Sequence, residues 1–218
     1  MRVSEIFESI QGEGDTAGRV ALFIRVQGCP LDCVWCDTKY SVPFEGGIEK
    51  SVFEISNIIS EFIERKEGIV VFTGGEPLAF QDEIHRIITL SQPRFVEFET
   101  SGIYLPKSEI RKHKFNVSPK LPNAKLSGGE KAYNKMYQNL KVFSELKSIF
   151  KFVISNEEDL EIVMEIITSY SLPKNKVFLM PEGTSPEEIL SKSKLILPFC
   201  INNGLNYSPR LQVFLNVR

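Results

Sequence analysis

Three cysteines fall close together in Gly28-Cys29-Pro30-Leu31-Asp32-Cys33-Val34-Trp35-Cys36, a C-x3-C-x2-C run. Three thiolates on one short loop can hold three irons of a [4Fe–4S] cube and leave the fourth iron open to another ligand. An open coordination position separates a reactive metal site from a closed structural one. Two other readings use the same residues. A structural zinc would take the three thiols plus Cys200 or a histidine, but the paired C-x2-C spacing usual for zinc is absent. The two histidines, His85 and His113, are also remote from the loop in sequence. Buried free thiols are the third reading, and Cys200, alone in the sequence, reads as a core cysteine. A second run, Thr73-Gly74-Gly75-Glu76-Pro77, follows an apolar stretch and by itself reads as a strand-to-helix turn.

The elements that must position these residues are legible in the hydrophobic periodicity. Val20–Val26 reads as a strand, and the cysteines follow it. Ser51–Lys66 reads as a helix, with Ile55, Ile58, Ile59, Phe62 and Ile63 on one face, a Ser51/Glu54 capping box and Gly68 as its C-cap. Strands are predicted at 69–73, 94–99, 114–117, 151–154, 177–180 and 211–217. Helices are predicted at 78–90, from the Asn156 cap to about Tyr170, and at 187–197. Residues 121–134, rich in turn formers, read as an exposed insertion. Alternating strands and helices imply a parallel sheet with crossover helices. The expected fold is α/β: a curved, incomplete parallel βα barrel of about six strands, with a flat doubly wound sheet as the alternative. A full eightfold barrel needs more units than this length holds. Each motif then lies at the C-terminal end of a strand, the edge where βα folds bind ligands.

The composition suits this picture. The chain has 218 residues, 42% hydrophobic and 25% charged, with 26 Lys+Arg against 28 Asp+Glu. It is too apolar for a disordered chain and long enough to bury most of its apolar surface. No like-charge block marks a nucleic-acid stripe, and the apolar runs are strand-sized, too short to span a membrane. The first residues lack the apolar stretch of a secretory signal, so a cytoplasmic protein is expected, in which clustered cysteines favour metal over disulfide. The length suits one domain over residues 1–218, or two small ones.

The cysteine run, with an aromatic before its last Cys, resembles the radical S-adenosylmethionine (SAM) superfamily. Gly74-Gly75-Glu76 resembles that superfamily's motif for the SAM amino group. More of the chain is similar to 7-carboxy-7-deazaguanine synthases: Ile6 to Gly14, Phe23-Ile24-Arg25, Trp35 to Tyr40, Glu99 to Gly102, Ser118-Pro119-Lys120 and Met180 to Gly183. The resemblance implies one [4Fe–4S] cluster on Cys29, Cys33 and Cys36. It implies a SAM-derived 5′-deoxyadenosyl radical, and Mg²⁺ held by Thr38. It implies SAM contacts at Trp35, Asp37, Gly74, Gly75, Glu76, Glu99, Ser101, Ser118, Pro119, Lys120, Met180 and Pro181. For Met180 core packing is the competing reading.

The substrate implied is 6-carboxy-5,6,7,8-tetrahydropterin, contracted to 7-carboxy-7-deazaguanine with loss of ammonia, for queuosine and other 7-deazapurines. Substrate contacts carried over are Ile10, Gln11, Gly12, Glu13, Arg25 and Thr73; as a bare residue Arg25 reads as an outward-facing strand residue. Many family members carry a His in the last strand, where this chain has Gln212. An electron donor such as flavodoxin or ferredoxin and a homodimer are also implied. The rival readings are another radical SAM enzyme such as a glycyl-radical activase, a non-enzymatic iron–sulfur electron carrier, and a zinc-stabilised binding module.

Overall fold

The computed structural model describes residues 1–217. Among them one sheet is built from β1 (Arg2–Ile10), β2 (Val20–Val26), β3 (Ile48–Glu49), β4 (Ile69–Gly74), β5 (Val96–Thr100), β6 (Lys114–Val117), β7 (Ser148–Ile154), β8 (Val177–Pro181) and β9 (Asn206–Tyr207). Its order is β3-β1-β2-β4-β5-β6-β7-β8-β9. Every neighbouring pair from β2 to β9 is parallel. β1 lies antiparallel to β2, and β3 to β1. Parallel neighbours need crossovers. Five of these crossovers carry helices, α1 (Val52–Arg65), α2 (Gln81–Ser91), α3 (Gly129–Ser144), α4 (Glu157–Ser169) and α5 (Pro186–Asn203); β5 and β6 are joined through the 3-10 turn Ser108–Ile110, and a short α6 (Leu211–Leu215) follows β9. Six parallel strands of four or more residues make the open, partial barrel that the sequence pattern implies.

Period-two alternation sorts each strand's side chains between two environments. On one face Leu22, Ile24, Val70, Phe72, Phe98, Phe115, Val117, Phe150, Phe152 and Leu179 join α1 residues Ile55, Ile59 and Phe62 in the main core. The other face carries Phe23 and Val71 low down. The same face carries Glu97 level with Val71 and, nearer the carboxyl edge, Arg25, Thr73, Glu99, Asn116 and Lys151. Charged groups inside a sheet are costly unless paired. This inner face is therefore where function is expected.

Local signals explain most elements. Ser51/Glu54 and Asn156/Asp159 form reciprocal capping boxes, and Ser185/Glu188 a third. Several expectations are corrected. Gly68 is not the C-cap of α1: Lys66 is, in extended backbone. A Cβ at Gly68 would press on the Phe62 ring, so close packing is what requires the glycine. α5 runs past Leu197 and Pro198 to Asn203, because Ile196 and Cys200 stay buried on its core side. That burial outweighs the roughly 3 kcal/mol cost of an interior proline. Residues 211–217 do not form a strand: 211–215 are the helix α6, and the Leu211 N–H donates to the Gly12 carbonyl rather than to a strand neighbour. Residues 121–134 are not an exposed insertion. Leu121, Ala124 and Leu126 are buried, and the latter two pack under Leu31 and Cys33 with Met136 of α3.

Candidate active site

The cysteine loop leaves β2 and folds back on itself. Gly28 N–H donates to Ser41 O at 2.8 Å and Cys29 N–H to Val42 O at 2.9 Å. The loop is seated on the segment after β6: Val34 N–H donates to Ala124 O at 3.0 Å and Trp35 Nε1 to Asn123 Oδ1 at 3.1 Å. Asp32 accepts from Ser127 N–H at 3.0 Å. Cys29, Cys33 and Cys36 line one cavity of about 240 Å³, at the C-terminal edge of the strands. All three are free thiols. Burial pushes the Cys29 thiol up to about 12 and raises Cys33 as well. A metal that binds here must displace those protons. Among the described residues no three His, Cys, Asp or Glu are gathered around a single-ion position. Thiolates that each take a different iron need not be.

Gly74 and Gly75 bring a second turn against this loop. Gly75 N–H donates to Val26 O at 3.0 Å, and Glu76 N–H to Gly28 O at 2.9 Å. Gly74 has φ +112°, and a Cβ on Gly75 would overlap the Gly28 carbonyl. Only glycine permits this approach. Glu76 turns away from the cavity. It is fully buried and accepts from Leu78 N–H (3.1 Å), Thr100 Oγ1 (2.6 Å), Ser101 N–H (2.9 Å) and Ser101 Oγ (2.5 Å). The Gly-Gly-Glu turn is thereby fastened to the turn after β5.

The inner face meets the loop after β1. Gln11 Nε2 donates to Glu97 Oε1 at 2.9 Å and Glu99 Oε1 at 3.0 Å, while its Oε1 accepts from Glu13 N–H at 3.2 Å. Both Gln11 amide hydrogens are thus committed to carboxylates, and what it offers the cavity is its carbonyl. Thr73 Oγ1 donates to Glu99 Oε2 at 2.7 Å. Burial favours the neutral form of Glu97 and raises its pKa, against the opposing charge of Lys114. Arg25 points inward, with Nε on Glu5 Oε1 at 2.7 Å and its guanidinium 5.8 Å from the Phe7 ring centre. The outward-facing reading of Arg25 is thereby corrected: the register puts it beside Thr73, at the cavity wall.

Glu13 accepts from Lys151 Nζ, from Arg210 Nε at 3.3 Å and from Gln212 Nε2 at 2.7 Å. Burial opposes its ionisation, but Lys151 and Arg210 hold its carboxyl well below the usual carboxylate range. Arg210 also donates to Asp37 Oδ2 and Gly183 O, tying the segment before α6 to the cysteine loop and to the turn after β8. Gln212 lies on α6 rather than in a strand, and its Oε1 is buried without a partner.

All the residues singled out in the sequence line this one cavity except Glu76, Pro119 and Pro181. Pro181 sits on the outward parity of β8, while Met180 faces in. Cys200 packs in the main core with Sγ 3.5 Å from Asn206 O, apart from the other cysteines. His85 and His113 line a separate cavity by the end of α2. Sequence reasoning missed Lys151, Asn116 and Arg210. The first two carried a signal: each is a polar residue inside an apolar strand, at the parity of the inner face. Arg210 carried none.

Comparisons place this geometry. Residues 23–115 match the model of the radical SAM superfamily. The chain is 40% identical, over 98% of its length and 93% of the relative's, to a 7-carboxy-7-deazaguanine synthase of Pyrobaculum aerophilum. It is 31% identical to the enzyme of the same name from Hyperthermus butylicus, over 100% of this chain and 93% of that one. The crystal structure of QueE from Escherichia coli superposes with a TM-score of 0.68 at 25% identity, covering 95% of this chain and 92% of that one. The SuiB structure from Streptococcus suis bound to S-adenosylmethionine, at 13% identity and a TM-score of 0.59, covers 85% of this chain and 45% of that one, and shares the fold.

Proposed function

The chain belongs to the 7-carboxy-7-deazaguanine synthase family of radical SAM enzymes, and from that premise we propose how its residues divide the work. The family's reaction is the radical conversion of 6-carboxy-5,6,7,8-tetrahydropterin to 7-carboxy-7-deazaguanine with release of ammonia. One observation carries the assignment. The three free thiols, the Gly74-Gly75 turn and the Gln11–Glu13 loop all face a single cavity.

The donor set fits an iron–sulfur cube. Cys29, Cys33 and Cys36 offer three thiolates, and Cys200 lies elsewhere, so one iron is left for SAM. A carrier cluster, which needs a fourth thiolate, and a zinc completed by histidine are disfavoured by the same placements. When bound, the reduced cluster and SAM supply one-electron chemistry that the protein side chains cannot.

The chain's own residues bind, orient and shield. Gly74 and Gly75 let backbone groups come close to SAM, while Glu76 fixes their turn from behind rather than touching it. Ser118 and Lys120 flank SAM, Lys120 lying over the Trp35 ring at 5.2 Å. Trp35, Asp37, Glu99, Ser101 and Met180 complete that wall. The fixed, planar guanidinium of Arg25 suits the substrate carboxylate. Ionised Glu13 and the Gln11 carbonyl accept from N–H groups of the pterin, with Ile10, Gly12, Thr73 and Gln212 around them. Thr38, whose Oγ1 is 3.7 Å from Cys36 Sγ, supplies one oxygen for Mg²⁺. Water and substrate would supply the remainder of an octahedron.

The proposal extends to one domain over residues 1–218, a flavodoxin- or ferredoxin-type reductant, a homodimer and a cytoplasmic location. No helix among the described residues is long and apolar enough to cross a membrane. The test is anaerobic turnover of reconstituted protein with SAM, Mg²⁺, a strong reductant and 6-carboxytetrahydropterin. Mass spectrometry should find 7-carboxy-7-deazaguanine and 5′-deoxyadenosine, and neither with Cys33→Ala. Deoxyadenosine alone would mean that the radical site is right and the substrate wrong.

A further inference from the structure

We propose that Asn116 reads the 2-amino-4-oxopyrimidine edge of the substrate; this rests on the function proposed above. Asn116 sits in β6 between Glu99 of β5 and Ile149 of β7 in the sheet register. It is 1% exposed, yet neither Nδ2 nor Oδ1 has a hydrogen-bond partner. Its side chain lines the cavity. A buried amide with both ends unpaired is costly, and native structures rarely keep one without a reason. An aliphatic residue would fill the same place in the strand at no such cost.

The chemistry of the partner follows from the amide. It presents a donor and an acceptor side by side, so it matches a neutral edge that presents an acceptor and a donor at the same spacing. Its neighbours on the inner face cannot do this, since Glu99, when ionised, only accepts and Lys151 only donates. The pyrimidine half of a pterin has such edges. Position favours substrate over SAM. Ser118 and Lys120 lie further along the same parity, toward the rim. Asn116 lies deeper, against the loop that carries Glu13: a Cβ built on Gly14 would be 3.0 Å from Asn116 Nδ2.

Asn116→Leu removes both polar groups at similar volume. With reconstituted holoenzyme under anaerobic turnover, the KM for 6-carboxytetrahydropterin should rise about tenfold or more, as expected when a buried donor and acceptor lose their pairing. The KM for SAM should stay within about twofold, since its contacts lie elsewhere. The melting temperature of the ligand-free protein should hold or rise, because an unpaired buried amide has been removed. An unchanged substrate KM would overturn the inference, and a falling melting temperature beside it would identify the amide as tied to a fixed internal water. A rise confined to the SAM KM would overturn it too. Asn116→Ser, which keeps a hydroxyl but cannot span both groups, should show the same substrate-side loss should the leucine variant fail to fold. Wild-type protein that forms deoxyadenosine but does not convert the pterin would instead overturn the functional reading.

Discussion

Lys151 and Glu13, 138 positions apart in the chain, form a buried ion pair that joins the centre of β7 to the loop after β1. Removing one partner of such a pair strands the other charge, at a cost of about 3–5 kcal/mol. Arg210 and Gln212 also hold Glu13, so the lower end applies. Lys151→Met should therefore lower the unfolding free energy by about 3 kcal/mol in urea titrations. It should also raise the substrate KM, because the loop loses its anchor. A variant as stable as the parent would show that the pair is not net stabilising.

Gly75→Ala tests the seam between the two turns. The added methyl would meet the Gly28 carbonyl, which is backbone and cannot rotate aside. The cysteine loop must then shift. Iron bound after reconstitution should drop well below that of the parent, and SAM cleavage with it. Full iron content would mean that the loop moves without losing its thiolate geometry.

Arg25→Ala separates substrate from cofactor. The wild-type guanidinium is held at Nε by Glu5, which leaves its direction fixed. Loss of a charged partner for the carboxylate should raise the pterin KM by about tenfold or more. The KM for SAM should change little. Equal effects on both would remove Arg25 from the substrate side.

His113 gives a pH dependence of stability. Burial first, then the charges of Lys112 and His85, lower its pKa from 6.5 to about 4. Between those values the unfolded chain binds a proton that the folded chain refuses. The His113 contribution is therefore complete above about pH 6.5 and is lost as the pH falls toward 4. His113→Phe, whose ring can keep the contact with Phe98, should lose less stability between pH 6.5 and 4.5 than the parent. Identical pH slopes in urea titrations would show that His113 is not the responsible group.

The parallel βα order and most of the cavity wall were legible because parallel strands leave continuous apolar runs and their motifs follow at the carboxyl ends. Short contacts of this kind leave a local signature; long ones do not. The β1 strand escaped notice since its alternation, Arg2 to Ile10, mixes charges of an edge with residues facing Phe23. Residues 211–217 alternate like a strand, but 211–215 close a short helix on themselves, and the Leu211 N–H is taken by the Gly12 carbonyl in the loop after β1. Glu76 was read as a ligand contact because sequence gives the motif and not the direction of the side chain. Lys151 and Asn116 were open to detection as polar residues at inward parity. Arg210 works by bridging Glu13, Asp37 and Gly183, none of which is near it in the chain.

The hydrogen bonds from Gly14 N–H to Ser208 Oγ (2.9 Å) and from Leu211 N–H to Gly12 O (3.0 Å) bear on the order of assembly. The sheet can grow strand by strand behind the ribosome, since most neighbours are successive in the chain. The wall around Glu13 cannot. It waits for residues 208–212, so its closure spans nearly the whole described chain and carries a large loop-closure cost. Until then Lys151 and Glu13 face water, and the three thiols stand open to whatever delivers iron and sulfide. Late closure thus leaves an interval in which the cluster can be installed before the cavity acquires its final shape.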